Sequence, residues 1–258
     1  MTRIAVFNCK GGVGKTTTTV NLGAAHERAT QRTRILDVDP QAHLSRIFGC
    51  LPADASNSTF ALYVNTVSVA GLEQPIGGVG RLIPAHGHLM KADSIFGKGP
   101  AVLNRLRLVL DAVDQPARPT LTLIDCCPFL GVLSISAIFA ADLLLIPVSA
   151  DYLSLQGAHQ IAHALRALTP VLRREVPKRF LVTRFDRRRR MSVEIYQTLC
   201  EHYPGEVCQT VISENTAIAT SPSLGQDIFS YQPQSLGAKE YESLYKELTG
   251  SGLIQISG

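Results

Sequence analysis

The sequence lacks the features of membrane-spanning, disulfide-rich and repeat proteins. No apolar run approaches the roughly 20 residues that would cross a bilayer, and no charged segment followed by an apolar one precedes the first predicted strand. The six cysteines show no C-x-x-C spacing, and 258 residues with 45% hydrophobic content can form a core without disulfides. Internal repeats and low-complexity tracts are absent. We therefore expect a soluble, cytoplasmic protein with reduced thiols and no membrane partner.

Short apolar segments alternate with helix-like segments along the chain. The predicted strands are Arg3–Asn8, Arg34–Asp37, Gly80–Pro84, Leu121–Asp125, Leu143–Val148, Arg179–Phe185 and Val207–Ile212. The predicted helices are Lys15–Thr30, Ala101–Ala112, Leu133–Ala140, Leu155–Leu168, Ser192–His202 and Gly237–Leu248. This alternation predicts a single-domain α/β fold with a mostly parallel twisted sheet and helices on both faces. Residues 54–79 have the weakest pattern, and we assign them no function.

The run from Cys9 to Thr17 has the composition of a loop that binds nucleotide phosphates. Glycines allow successive backbone N–H groups to converge on a phosphate, Lys15 can neutralise the β- and γ-phosphate oxygens, and the hydroxyl of Thr16 can bind Mg²⁺. The predicted phosphate-binding residues are Lys10, Gly11, Gly12, Val13, Gly14, Lys15, Thr16 and Thr17. The loop therefore predicts an ATPase or GTPase.

This loop departs from the standard motif G-x-x-x-x-G-K-[ST] at two positions. Cys9 stands where the motif has glycine, and Lys10 adds a second lysine five residues before Lys15. The run resembles the deviant Walker-A ATPases, and within them the ParA branch. The resemblance implies an ATPase domain over residues 1–250, a short tail at 251–258, and ATP and Mg²⁺ as ligands. It also implies an ATP-bound homodimer in which Lys10 reaches the partner subunit's phosphates, so Lys10, Lys15 and Asp39 form the expected catalytic set.

Two acidic residues are expected at the phosphate site. Asp39, in the segment Asp-Val-Asp-Pro-Gln, resembles the switch I acid of the family, which implies that it reaches the Mg²⁺ shell and orients the attacking water. Asp125 ends an apolar strand in the Walker-B form and is expected to hold Mg²⁺ through water. The expected metal set is therefore Thr16, Asp39 and Asp125. Cys127 and Phe129 replace residues that are usual in the family's switch II.

Two later regions also resemble the family. The segment 151–157 is similar to a stretch at the family's dimer interface. Thr183, Arg184 and Ser213 fall where family members contact the adenine base, although Ser213 stands where proline is common. The resemblance extends from about residue 3 to about residue 248.

The positive charge is concentrated in one part of the chain. The formal net charge is only +4, but residues 173–190 contain nine Lys or Arg and two acids. Within them, Arg187, Arg188, Arg189 and Arg190 follow a predicted strand and form a loop suited to phosphates. The resemblance implies nonspecific DNA binding through this loop. A second basic position common in the family is Ala217 here.

The expected function is therefore a nucleoid-associated ATPase that positions a plasmid, chromosome or protein organelle. Its hydrolysis would be slow without a ParB-like or cargo-adaptor partner. Three other functions occur among deviant Walker-A proteins. A MinD-like membrane-associated ATPase would need a Lys-rich amphipathic C-terminal helix, whereas residues 239–247 contain more acids than bases. An iron-sulfur relative would need a second thiol, and no cysteine lies between Cys50 and Cys126. A small-molecule kinase or synthetase remains the other enzyme alternative.

Overall fold

A seven-stranded sheet forms the centre of the molecule. The computed structural model describes residues 2–30, 32–64, 68–97, 99–114, 120–172 and 174–255. The strands are β1 (Thr2–Val6), β2 (Thr33–Asp37), β3 (Gln74–Ile76), β4 (Gly80–Ile83), β5 (Leu121–Asp125), β6 (Leu143–Ser149) and β7 (Lys178–Thr183). Their order is β3-β4-β2-β5-β1-β6-β7, and only the β3–β4 pair is antiparallel.

Helices connect the strands and cover the sheet. They are α1 (Lys15–Thr30), α2 (His43–Ile47), α3 (Thr59–Val64), α4 (Val69–Leu72), α5 (Ala92–Phe96), α6 (Pro100–Leu103), α7 (Arg105–Val113), α8 (Val132–Ala140), α9 (Tyr152–Leu172), α10 (Arg190–His202), α11 (Thr216–Thr220), α12 (Ile228–Tyr231) and α13 (Leu236–Gly250). Short 3₁₀ helices span Ala55–Asn57, Gly87–Lys91 and Ser221–Leu224. Within the described ranges, no helix has the length and apolar character needed to cross a membrane.

The central strands are buried on both faces, which explains their continuous apolar sequences. Every residue of β5 and β6 is buried. One core cluster packs α3, α4 and α6–α10 on one face of the sheet, and a second packs α1, α2 and α11–α13 on the other. Parallel strands with two covered faces are typical of α/β proteins. The predicted α/β fold is therefore confirmed.

The structure corrects two predicted elements. The predicted helix Ala101–Ala112 is divided at Asn104 into α6 and α7. The predicted strand Val207–Ile212 is not continuous. Isolated bridges pair Val207, at its start, with Phe180, and Ser213, just after its end, with Phe185. Between these bridges the backbone amides of residues 209 and 210 donate to the Glu247 carboxylate, 2.7 and 2.8 Å away. The Glu247 side chain of α13 thus accepts the Thr210 amide, which in a continuous strand would face β7 between the amides of Cys208 and Ile212.

The weakly patterned residues 54–79 contain buried structure, except that 65–67 lie outside the described residues. Ala61 and Leu62 of α3 are buried in the core cluster that α3, α4 and α6–α10 form on one face of the sheet. Of the expected tail, residues 256–258 lie outside the described part. Ile254 is 2% exposed, and the amide of Gln255 donates to Thr2 Oγ1 at 3.0 Å, so this segment packs against the start of β1.

The contact between α1 and α13 predicts a specific loss of stability in acid. His26 is buried, and its Nδ1 lies 3.2 Å from the hydroxyl of Tyr245. Burial lowers the pKa of His26 to about 4. Because the folded pKa lies below the unfolded value of about 6.5, the unfolded chain binds the extra proton as pH falls through this window. His26 should therefore have no effect on the pH dependence above pH 7, and should lower stability by up to about 1.4 kcal/mol per pH unit between about pH 6.5 and 4.

Urea unfolding at pH 7 and pH 5 tests this prediction with His26→Gln as the matched variant. Glutamine keeps a hydrogen-bonding group but does not titrate. The drop in unfolding free energy between the two pH values should be about 2 kcal/mol smaller in His26→Gln than in the parent. Equal drops in the two proteins would contradict the assignment.

Candidate functional site

A cleft of about 520 Å³ opens where the β1–α1 loop meets the carboxyl ends of the strands. Gly12 and Gly14 have φ values of 73° and 89°, which glycine adopts without steric cost. The cleft brings together most of the predicted nucleotide site: Gly11, Gly12, Val13, Gly14, Lys15, Thr16, Thr17, Asp39, Thr183, Arg184 and Ser213. Two predicted residues do not line it. Asp125 lies buried behind Thr16, and Lys10 points elsewhere.

Lys15 is positioned for an anion in the cleft. It is 8% exposed, and its Nζ donates to the carbonyl of Lys10 at 3.0 Å. Burial lowers the pKa of Lys15, and the nearby carboxylates only partly oppose this effect. A phosphate bound here would supply the missing negative charge. The geometry therefore agrees with the phosphate-binding role predicted for Lys15.

Thr16 and Asp125 provide adjacent oxygen atoms beneath the loop. Thr16 Oγ1 donates to Asp125 Oδ2 at 2.7 Å, and Thr19 Oγ1 donates to Asp125 Oδ1 at 3.3 Å. Burial, followed by the negative charge of Asp37, raises the pKa of Asp125. A divalent cation would stabilise the ionised carboxylate. The hydroxyl and carboxylate oxygens therefore fit Mg²⁺, which binds few carboxylates and keeps several waters.

Asp37 is a buried residue of the site that the sequence reading did not assign. Its carboxylate accepts hydrogen bonds from the amide of Asp39 at 3.1 Å, the amide of Ser45 at 3.0 Å and the hydroxyl of Ser45 at 2.6 Å. These bonds hold the β2–α2 loop so that Asp39, which is 8% exposed, lines the cleft. The only available signal was the position of Asp37 at the end of β2. Among the described residues, no group of three or more His, Cys, Asp or Glu side chains forms a complete metal site.

Lys10 is held at the edge of the site by the start of α9. Its Nζ donates to Asp151 Oδ1 at 2.7 Å and to Ser154 Oγ at 2.9 Å. Partial burial opposes ionisation of Asp151, but hydrogen bonds from Lys10 and Ser154 bring its pKa below the usual value. The segment that contains Asp151 and Ser154 is predicted to lie at an interface, but its contact with Lys10 is not predictable from the sequence. The two lysines of one loop therefore have different partners.

The other end of the cleft is built from β7 and the segment after it. Thr183 Oγ1 donates to the carbonyl of Val13 at 2.9 Å, and this hydrogen bond joins the end of β7 to the β1–α1 loop. Arg184 is exposed and has a φ of 51°. Ser213 keeps the N–H that a proline would lack, and this N–H donates to Glu240 at 2.8 Å. The cleft also has an apolar wall that the sequence does not predict, and this wall includes Ile212, Ile218 and Pro222.

The unusual residues of switch II have separate environments. Cys127 is buried, and its Sγ lies 3.1 Å from the hydroxyl of Ser134. Burial raises the pKa of Cys127 to about 11. Phe129 is 50% exposed at the carboxyl edge of the sheet. Cys127 is therefore a packed thiol, whereas Phe129 is available on the surface.

The arginine run is exposed but partly paired. Asp186 accepts from Arg188 Nε at 3.0 Å and lies 3.4 Å from Arg189 Nε, while Arg190 Nε contacts Glu194 at 2.6 Å. Arg190 is the first residue of α10, so the loop itself contains three of the four arginines. Within the described ranges, no ion pair involves Arg187. Arg173, which was counted in the basic window, lies outside the described residues.

These features define a class of protein. A glycine-rich loop joins a buried parallel strand to a helix that begins with a buried lysine, and a hydroxyl–carboxylate pair lies beneath the loop. This is the construction of a P-loop NTPase. The additional lysine outside the cleft separates it from the standard motif.

Comparisons with known proteins agree with this class. A family model described as an AAA domain matches residues 1–177. The sporulation initiation inhibitor protein Soj of Bacillus subtilis is 32% identical over 251 residues, covering 96% of this chain and 98% of Soj. The chain therefore belongs to the ParA/Soj family of P-loop ATPases.

Solved structures of low sequence identity share the fold. McdA of Cyanothece superposes with a TM-score of 0.84 at 20% identity, covering 97% of this chain and 99% of McdA. Cobyrinic acid a,c-diamide synthase of Mycobacterium smegmatis, crystallised with ADP and magnesium, gives 0.81 at 24% identity, with coverages of 97% and 96%. The single-domain α/β architecture is thus common to proteins of different function.

Proposed function

We propose that this protein is an ATPase that dimerises with ATP, binds DNA nonspecifically and positions a cargo with a partner protein that stimulates hydrolysis. The observation that carries the proposal is the separation of two lysines in one loop. Lys15 lies inside the cleft, whereas Lys10 lies outside it, with its ammonium bound to Asp151 at the start of α9. A cation outside its own cleft can reach the phosphates of a facing subunit, as an arginine finger does. Membership of the ParA/Soj family supports the same reading.

ATP and Mg²⁺ are the proposed ligands, and residues 1–250 the proposed ATPase domain. The backbone amides of Gly11–Thr17 and Lys15 would bind the phosphates, while Thr16, Asp125 and Asp39 would hold Mg²⁺. Bound Mg²⁺ supplies positive charge to the phosphate oxygens. Asp39 lines the cleft and would orient the attacking water, whereas Arg184 and Ser213 would contact the base and Thr183 would support the loop.

A homodimer would cover the exposed apolar side chains next to Lys10. Phe129 and Leu130 follow β5, and Tyr152 and Leu153 follow β6, so both pairs lie at the carboxyl edge of the sheet. They are 50%, 37%, 61% and 69% exposed. Several large apolar side chains exposed at one edge of a sheet commonly mark a protein interface. We therefore place the proposed dimer contact at this edge.

The MinD-like and iron-sulfur alternatives are disfavoured by specific contacts. The apolar side chains of α13, which include Tyr241, Leu244 and Leu248, are buried in the core and so are not available to a bilayer. Cys126 and Cys127 are buried, and burial raises the pKa of both thiols, which opposes metal binding as thiolates. Membership of the ParA/Soj family is the ground on which we propose a cytoplasmic, nucleoid-associated protein. A ParB-like protein or another cargo adaptor is the proposed partner.

A salt titration of DNA binding tests the proposed function. With ATP and Mg²⁺, the parent protein should bind duplex DNA of any sequence, and binding should weaken steeply as salt rises. Changing Arg187, Arg188, Arg189 and Arg190 to alanine should lower the affinity by about 10- to 100-fold and reduce the slope of log affinity against log salt by about 2 to 4. In the absence of the partner protein, the parent should bind DNA with ATP and not without it.

A charge-matched quadruple variant controls for the loss of net charge. Arg32, Arg81, Lys91 and Lys246 are exposed cations in other parts of the chain and can be changed to alanine together. This variant should keep the parent's salt slope to within about 1. An unchanged affinity and slope in the arginine-loop variant would remove this loop from the proposed DNA surface. The absence of ATP-dependent DNA binding in the parent would contradict the function itself.

A further inference from the structure

A closed hydrogen-bonded network at the start of α9 holds the side chain of Lys10. Asp151 caps the helix, because its Oδ1 accepts the amide of Ser154 at 2.9 Å and its Oδ2 accepts the Ser154 hydroxyl at 2.9 Å. The Lys10 ammonium donates to Asp151 Oδ1 at 2.7 Å and to the Ser154 hydroxyl at 2.9 Å. Asp151 and Ser154 thus bind each other and Lys10 at the same time.

The backbone of Lys10 is fixed separately from its side chain. Its amide donates to Asn8 Oδ1 at 2.8 Å, and the Asn8 side chain donates to the carbonyl of Pro147 at the end of β6, 2.7 Å away. The Lys10 carbonyl accepts Lys15 Nζ. The phosphate loop can therefore keep its shape while the Lys10 side chain moves between partners.

We propose that Asp151 and Ser154 are positioning residues that hold Lys10 within its own subunit until an ATP-bound partner subunit offers its phosphates. This inference rests on the proposed function, because it requires Lys10 to act across a dimer. The Lys10 and Asp151 side chains are 35% and 42% exposed, so the ion pair is weak enough to exchange. Holding Lys10 in this way lowers the fraction of molecules ready to dimerise and raises the apparent ATP requirement by the same factor.

Asp151→Asn separates the charge of this residue from its structural role. Asparagine caps helices as well as aspartate does, so the start of α9 should be retained while the ion pair with Lys10 is lost. Ser154→Ala removes the second acceptor for Lys10 together with the hydroxyl that donates to Asp151 Oδ2. Glu242→Gln is the matched control, because it breaks another exposed ion pair, with Lys246 at 2.6 Å on α13, away from the cleft.

Sedimentation velocity with increasing AMPPNP and excess Mg²⁺ measures the dimer fraction of each variant. In Asp151→Asn, the AMPPNP concentration for half-maximal dimerisation should fall about two- to five-fold, with a smaller decrease in Ser154→Ala and none in Glu242→Gln. The effect should shrink at high salt, which screens the ion pair in the parent. ADP affinity and thermal stability should match the parent, because Lys10 Nζ lies outside its own cleft and the helix cap is kept.

The outcomes separate this inference from the proposed function. If the parent dimerises with AMPPNP but Asp151→Asn has an equal or higher midpoint, Asp151 does not restrain Lys10 and the inference is wrong. If Glu242→Gln shifts the midpoint as much as Asp151→Asn, the effect is general electrostatics and the inference is also wrong. If the parent does not dimerise with AMPPNP at all, the proposed function fails first.

Discussion

Lys10→Ala is expected to abolish ATP-dependent dimerisation and to lower the rate of ATP hydrolysis by about 100-fold or more, while nucleotide affinity stays within about three-fold. Nucleotide affinity should be retained while dimerisation is lost because of where the Lys10 ammonium lies. Lys10 Nζ contacts Asp151 and Ser154 rather than the cleft, so its removal should leave the subunit's own nucleotide site intact. Removing a cation that acts on the transferring phosphoryl group of the partner should raise the barrier to hydrolysis. Equilibrium binding of a fluorescent ATP analogue, sedimentation and phosphate release measure the three quantities.

Lys15→Ala provides the matched lysine control. Lys15 lies inside the cleft, 8% exposed, so its loss should remove nucleotide binding itself. Lys10→Ala and Lys15→Ala should therefore fail at different steps, although they change the same residue type in the same loop. Normal turnover by Lys10→Ala would exclude a role for Lys10 in trans.

The backbone of the candidate phosphate loop could be predicted from the sequence because its main parts are local. The loop Cys9–Thr17 lies between β1 and α1, and the predicted helix Lys15–Thr30 has the same bounds in the structure. The position of Asp125 could be predicted because it ends a largely apolar strand. In each case neighbouring residues determine both the backbone and the side chain that it presents.

Contacts between distant segments could not be predicted in the same way. Lys10 and Asp151 are 141 residues apart, and they meet because β1 pairs with β6 in the sheet. Likewise, Glu247 of α13 binds backbone amides at 209 and 210, which prevents an apparent strand from pairing continuously. The three-residue strand β3 contains Pro75 and is antiparallel at the sheet edge, so its sequence carries little strand signal.

Asp39→Ala is expected to stop hydrolysis while preserving the ATP-bound state. Asp39 lines the cleft beside the phosphate loop, and its Oδ1 accepts the amide of Gln41 at 2.9 Å. Its loss should remove the acceptor that orients the attacking water and lower turnover by about 100-fold or more. Lys10 and Lys15 are unchanged, so dimerisation and DNA binding with ATP should persist. The lifetime of the variant on DNA after ATP dilution should therefore exceed the parent's. Asp54→Ala is the control, because it removes an exposed carboxylate that caps a 3₁₀ helix, and its lifetime should equal the parent's.

Mixing Asp39→Ala with Lys10→Ala tests both roles in one experiment. In a mixed dimer, the cleft of the Lys10→Ala subunit keeps its own Asp39 and receives Lys10 from the Asp39→Ala subunit, so one of the two clefts is complete. Lys10→Ala is not expected to dimerise with itself, but in a mixed dimer one Lys10 still reaches the facing phosphates. Equal mixing of the two inactive proteins should therefore restore activity, and when half of the Lys10→Ala subunits are in mixed dimers the total is about a quarter of the parent's. If both lysine and aspartate acted within one subunit, every cleft in the mixture would lack one of them. Sedimentation of labelled Lys10→Ala shows whether mixed dimers form, and no activity in a mixture that contains them would exclude the exchange of Lys10 between subunits.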